Sequence, residues 1–136
     1  MNKTSASAVA HPNIAFIKYW GNRDNDLNLP VNGSISMNLG ALITHTDIVF
    51  DDSIPVDALT LNDEQITGPA LDRVSNFLDH FRKLSGKSWK AKIISKTNFP
   101  VGAGIASSAS GFAALAVATA KALELELPQA ELSRIA

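Results

Sequence analysis

Two segments of this sequence combine residue types that can hold a phosphorylated ligand. The first is Asn98-Phe99-Pro100-Val101-Gly102-Ala103-Gly104-Ile105-Ala106-Ser107-Ser108-Ala109-Ser110-Gly111. Glycines let a backbone approach phosphate oxygens closely, and serine hydroxyls donate to phosphate or ligate Mg²⁺. The segment lies between an expected strand and an expected apolar helix, where free N–H groups and the helix dipole favour an anion. It is not a Walker A loop, because Gly-Lys-Ser/Thr is missing, and not a dinucleotide fingerprint, because Ser107 stands where the third glycine belongs. By composition alone, a capped helix after a tight turn is the commoner use of such a stretch. The second segment is Asn13-Ile14-Ala15-Phe16-Ile17-Lys18-Tyr19-Trp20-Gly21-Asn22. A lysine among large apolar residues near a strand end can hold an anion in a partly dry pocket, where its charge counts for more. Tyr19 and Trp20 would shape that pocket and offer a hydroxyl and an indole donor. Alone, this segment also reads as a lysine snorkelling over a half-buried strand.

Other arrangements fall away. Asp24, Asp26 and Asn28 resemble the start of a calcium loop, but Leu29 replaces its glycine and no glutamate closes it. His11, His45 and His80 lack metal-ligand spacing. GxSxG is absent, so no serine elbow is expected. Six basic residues and no acid lie between Arg82 and Lys96, which reads as a solvated face rather than a nucleic-acid platform. The formal net charge of −1 gives no whole-chain field for nucleic acid or membrane. The absence of cysteine excludes disulfides, thiolate metal sites and a cysteine nucleophile. The apolar stretch Phe112 to Ala120 is far shorter than the roughly 20 residues of a membrane span. No signal peptide is expected either, which points to a soluble, intracellular chain.

The elements that must position these segments follow from hydrophobic pattern. Residues 4–10 and 13–20 read as strands, 22–28 as a polar loop, and 34–51 as one or two strands rich in Ile, Leu, Val and Thr. Asn62-Asp63 marks a tight turn. Leu71, Val74, Phe77, Leu78, Phe81 and Leu84 keep helical spacing, with Gly86 as the terminating glycine. Residues 89–97 form a strand with Lys90, Lys92 and Lys96 on one face. An Ala-rich helix runs from about Ser108 to Leu125, its apolar surface asking for a partner layer. Pro128 then opens a last helix, with Glu131 favourably placed in its first turn. No stop signal follows before Ala136, as in a chain cut from a larger protein. A single domain over residues 1–136 is expected from length.

Taken together, NIAFIKYWGNRD, LNLPVNGSISMNL, NFPVGAGIASSASGFAALA and ELSRIA, in that order, resemble the N-terminal part of the mevalonate diphosphate decarboxylase family. That family belongs to the GHMP kinase superfamily. The resemblance runs from about Ala8 to the end and implies an α+β fold. It implies a ribosomal protein S5 domain 2-like N-terminal domain, with a mixed or antiparallel sheet and helices on one face. It also implies an active site shared with a C-terminal domain, ATP and Mg²⁺ as cofactors, and a phosphorylated mevalonate as substrate. The implied reaction phosphorylates the tertiary 3-hydroxyl, after which phosphate and CO₂ depart. A cytoplasmic setting and a homodimer for the complete enzyme follow from the same likeness, with no nucleic acid and no membrane among its partners.

By position, the resemblance makes Lys18 the residue near the reacting hydroxyl. It makes Asn13, Tyr19, Trp20, Gly21, Asn22, Ser34 and Arg73 substrate-binding. Gly102, Ala103, Gly104, Ile105, Ala106, Ser107, Ser108, Ala109 and Ser110 would hold ATP, with Ser108 also a Mg²⁺ ligand. The family's catalytic aspartate and carboxylate-binding arginine would lie beyond residue 136. Two positions depart from the family pattern. Asn22 replaces the last lysine of Lys-Tyr-Trp-Gly-Lys, and Gly33 replaces the first serine of Asn-Ser-Ser. A superfamily kinase without decarboxylation is the alternative, and a nucleic-acid module on an S5-like fold is a third reading.

Overall fold

The computed structural model describes residues 2–17, 21–25, 29–101 and 107–136. The chain runs through β1 (Lys3–Ala10), β2 (Asn13–Ile17), β3 (Asn22–Asp24), β4 (Leu29–Pro30), β5 (Ile35–Asn38) and β6 (Thr44–Asp51). It continues through β7 (Ala58–Leu61), β8 (Glu64–Ile66), α1 (Pro69–Ser85), β9 (Lys90–Thr97), α2 (Ser107–Ala122) and α3 (Gln129–Ile135).

The main sheet has the order β1-β6-β9-β7-β8, with β7 parallel to β9 and the other pairs antiparallel. Period-two alternation gives it one buried face. On β6, Thr44, Thr46, Ile48 and Phe50 point inward, opposite Thr97, Ser95, Ile93 and Ala91 of β9. Phe77, Leu78 and Phe81 of α1 and Ala114, Leu115, Ala116 and Ala118 of α2 cover that face. Burying one large apolar side chain contributes about 1.5–3 kcal/mol, so Ile48, Phe50, Leu78, Phe81 and Ile93 form the energetic centre. Phe77 meets Phe81 of its own helix at a tilt and Phe112 of α2 edge-on, at centroid distances of 5.4 and 5.0 Å, and the second contact joins the two helices. The layering is α+β with a mixed sheet and the helices on one side, as expected. The apolar surface of α2 is filled by the chain's own sheet, because alanines let the helix axis approach it closely.

Local signals explain the element ends. Pro69 opens α1 and Gly86, left-handed at φ 70°, closes it. Asn62 and Asp63, with φ of 48° and 68°, form the two-residue left-handed turn that joins β7 to β8. α2 ends three residues earlier than its pattern suggests. Glu124 adopts φ 58°, and the N–H groups of Glu124 and Leu125 donate to Lys121 and Ala120 carbonyls at 3.2 and 2.8 Å. That pair of bonds is a Schellman end made without glycine.

Residues 22–24 depart from the expected polar loop by forming a strand. β3 pairs with β4, and the Val31 N–H donates to the Gly21 carbonyl at 3.0 Å. A short ladder needs only backbone groups, so its polar side chains are no obstacle. β2 and β5 form a separate ribbon in which Phe16, Ile17 and Ile35 are exposed.

The basic stretch is also not the uniform solvated face its composition suggests. Arg82 is buried, with both terminal guanidinium nitrogens on Asp57 at 2.6 and 3.1 Å, Nε on the Trp89 carbonyl at 2.9 Å and one nitrogen on Asp79 at 2.9 Å. Lys96 pairs with Asp63 at 3.1 Å, and Lys87 lies over the Trp89 ring and reaches Glu124.

Candidate functional site

The inner face of the main sheet changes character along its length. At one end it is Phe50, Ile48 and Ile93; at the other it is Thr44, Thr46, Ser95 and Thr97. The first turn of α2 lies over the hydroxyl end. There the sheet, α1 and α2 leave a pocket of about 330 Å³. Leu59, Leu61, Ile66, Val74 and Phe112 give it apolar walls, the hydroxyl residues give it a polar edge, and Ser107 and Ser108 stand at its α2 side. An apolar cleft with a few convergent polar groups is the usual form of a small-molecule site.

Arg73, in the first half of α1, lines the same pocket with its guanidinium 4.8 Å from the centre of the Phe112 ring. Among the described residues it is the one substrate-binding candidate that lines the pocket; Asn13, Gly21, Asn22 and Ser34 do not. Those four belong to the two small ladders and their connection. Asn13 pairs with Asn38, and Asn22 is half-buried opposite Pro30. Lys18, Tyr19 and Trp20 lie outside the described residues, as do Gly102, Ala103, Gly104, Ile105 and Ala106.

Within the serine turn the side chains have different surroundings. Ser108 and Ala109 are exposed and Ser107 is half-buried. Ser110 is fully buried. Its hydroxyl donates to the Ser107 carbonyl at 2.9 Å and lies 2.8 Å from the Thr44 hydroxyl. Ser110 therefore holds the helix start to β6. On the β9 side, Asn98 accepts the Ile43 N–H at 2.8 Å and donates to the Ala41 carbonyl at 3.0 Å. Thr97 takes the Asn62 side chain through its N–H at 2.8 Å and donates its hydroxyl to the Phe99 carbonyl at 2.8 Å.

Sequence reasoning did not single out Thr44, Thr46, Ser95 or Phe112 as site residues. The signal was there: Thr44, Thr46, Ser95 and Thr97 place hydroxyls at period two, where an inward strand face ordinarily carries apolar residues. The resolved pKa shifts lie away from the pocket. Ser53 donates its hydroxyl and N–H to Asp51 and lowers that carboxyl below its usual range. Arg134 lowers Glu131 through a direct hydrogen bond, and its own pKa is raised in return. Among the described residues no group of three His, Asp or Glu side chains can hold a metal ion. Among them no helix is long and apolar enough to cross a membrane.

A mixed sheet with its helices on one face, and a serine-rich first turn of α2 beside a half-apolar pocket, define an S5-like domain of the GHMP kinase type. Residues 10–136 match the family described as diphosphomevalonate decarboxylase-like N-terminal domain, and the chain belongs to that family. The diphosphomevalonate decarboxylase of Saccharomyces cerevisiae is 41% identical over 150 residues, covering 100% of this chain and 38% of the relative. The phosphomevalonate decarboxylase of Haloferax volcanii is 35% identical, covering 96% of this chain and 40% of the relative. Among solved structures, mevalonate diphosphate decarboxylase from Staphylococcus aureus superposes with a TM-score of 0.90 at 42% identity, over 98% of this chain and 40% of that one. MDDEF in complex with MVAPP, AMPPCP and magnesium superposes at 0.88 with 41% identity, over 98% of this chain and 41% of that one. The chain thus spans about two-fifths of the length of the relatives it matches.

Proposed function

We propose that residues 1–136 are the N-terminal, ATP-binding domain of an ATP-dependent decarboxylase acting on a 5-phosphorylated mevalonate. The observation that carries this reading is the pocket shared by Ser107, Ser108 and Arg73 at the start of α2. Its apolar walls suit a nucleobase, and the polar helix start suits the phosphates that follow it. Gly102 to Ala106 would complete the phosphate cradle, Ala109 would lie along it, and Ser110 would hold its base. The donor set fits a magnesium nucleotide in one respect: Ser108 offers a hard hydroxyl oxygen. No carboxylate lines the pocket among the described residues, so most of the ion's ligands would come from the nucleotide and water.

ATP would supply the phosphoryl group that turns the 3-hydroxyl of the substrate into a leaving group. Departure of that phosphate leaves positive charge developing at C3, which draws the electrons of the breaking carboxylate bond. The protein's work is then orientation and charge stabilisation. Lys18 would lie near the transferring phosphate, while Asn13, Tyr19, Trp20, Gly21, Asn22 and Ser34 would shape the substrate pocket. Arg73 is carried over as a substrate contact, and its place in the lining of the same pocket as Ser107 and Ser108 supports that role. A homodimer and a cytoplasmic setting belong to the same proposal and rest on the family likeness alone.

Mevalonate 5-diphosphate is the family's default substrate, and one observation points to a preference relaxed or shifted toward mevalonate 5-phosphate. Asn22 removes a cation from the pocket expected to hold the terminal phosphates, turning a charge-assisted contact into a neutral one. The test uses the full-length polypeptide that carries this chain. Mevalonate 5-diphosphate and mevalonate 5-phosphate are each supplied with MgATP, and CO₂ and ADP are measured. CO₂ released in step with ADP supports the decarboxylase. ADP without CO₂ turns the assignment to a superfamily kinase. In the same enzyme, Ser108→Ala should raise the KM for MgATP; unchanged kinetics with a cap-sized stability loss of about 1 kcal/mol would reduce the serine turn to a helix start.

A further inference from the structure

We infer that Thr44, at the first position of β6, is a positioning residue for the nucleotide-binding serines, acting through Ser110. The inference rests on the nucleotide reading above and gives a role to a hydroxyl at the pocket's edge to which that reading assigns none.

The direction of the hydrogen bonds carries the argument. The Ser107 carbonyl can only accept, so the Ser110 hydroxyl spends its single proton on it. Ser110 Oγ is then the acceptor for Thr44, and the order of donation is Thr44 to Ser110 to the Ser107 carbonyl. Thr44 and Ser110 are each 1% exposed, so water does not substitute for either bond. Ser107, at the end of this chain of donors, lines the pocket together with Ser108. Thr44 thereby fixes, from the sheet, the backbone unit that carries both hydroxyls toward the ligand.

The same strand start also ties the β9 side. Ile43, the preceding residue, donates its N–H to the Asn98 side chain and accepts the Asn98 N–H at 3.2 Å. Two adjacent residues therefore hold the end of β9 and the start of α2 at a set separation. A helix start needs no such support merely to exist, since α1 and α3 begin without a side-chain cap bond. Preorganised donors are worth more than donors that must be ordered on binding, so the bond is felt in phosphate affinity.

Thr44→Val keeps the side-chain shape and removes the donor, while Thr44→Ser restores it. Binding of MgATP and of adenosine is measured for the full-length polypeptide that carries this chain, unaltered and with each substitution, with thermal unfolding alongside. Thr44→Val should weaken MgATP binding roughly fivefold or more and leave adenosine within twofold, with Thr44→Ser close to the unaltered chain. Equal loss for both ligands, or a lower melting temperature with unchanged MgATP affinity, would overturn the positioning role and leave a packing role. Failure of the Thr44→Ser variant to recover affinity would overturn it too. If the unaltered, folded polypeptide binds neither ligand, the nucleotide reading fails first and the inference falls with it.

Discussion

Asp57→Ala should be the most destabilising single substitution in the loop between β6 and β7. The Asp57 side chain is 4% exposed and that of Arg82 7%. The carboxylate accepts two guanidinium nitrogens and, in addition, the Ala91 N–H at 2.8 Å, inside the core strand β9. Truncation leaves a buried guanidinium with only the Trp89 carbonyl and Asp79, and strips the Ala91 amide of its partner. Removing one member of a buried pair costs about 3–5 kcal/mol, a large part of the roughly 5–15 kcal/mol that holds a domain of this size. Asp79→Ala is the internal control. Its side chain is 48% exposed, so solvent screens it and the loss should be about 1 kcal/mol or less. Urea unfolding followed by far-UV circular dichroism separates the two. With a slope of about 2 kcal/mol/M, Asp57→Ala moves the midpoint down by about 1.5–2.5 M and Asp79→Ala by about 0.5 M or less. Equal shifts for the two variants would refute the claim that burial and the Ala91 amide set the cost.

Three further outcomes are expected. Glu124→Gly relieves the left-handed strain at the end of α2 and, after loss of the weak Lys87 contact, should raise stability by about 0.5–1 kcal/mol in the same urea assay. Ser53→Ala should move the Asp51 carboxyl titration, followed by carbon NMR, up toward the ordinary carboxylate range. Because that pKa is lowered in the folded chain, its contribution to stability is present above the unfolded value and lost as pH falls through the lowered one, so the variant should differ most on the neutral side of that window. Asn22→Lys in the full-length polypeptide should raise kcat/KM for mevalonate 5-diphosphate relative to the 5-monophosphate; an unchanged ratio would remove Asn22 from substrate selection.

Periodicity alone was enough for much of the architecture. The spacing of Leu71, Val74, Phe77, Leu78 and Phe81 with Gly86 after them defines α1, and the alternating lysines mark β9, because these signals are local and physical at the scale of one turn or one pleat; residues 34–51, read as one or two strands, resolve into β5 and β6 only in the fold. The Gly/Ser segment and its place before an apolar helix were legible for the same reason. Long-range register was not. Thr44 and Ser110 stand 66 residues apart, and nothing in either neighbourhood marks them as partners until antiparallel pairing sets β6 beneath the start of α2. The same holds for Asp57 and Arg82: a basic stretch looks solvated when read as composition, and only packing against the far end of the sheet turns one of its charges inward. Residue type and spacing decided which chemistry the chain can offer. Tertiary structure decided which hydroxyls face a ligand and which spend their protons holding the others still, because a hydroxyl has one proton to give and only its surroundings say to whom.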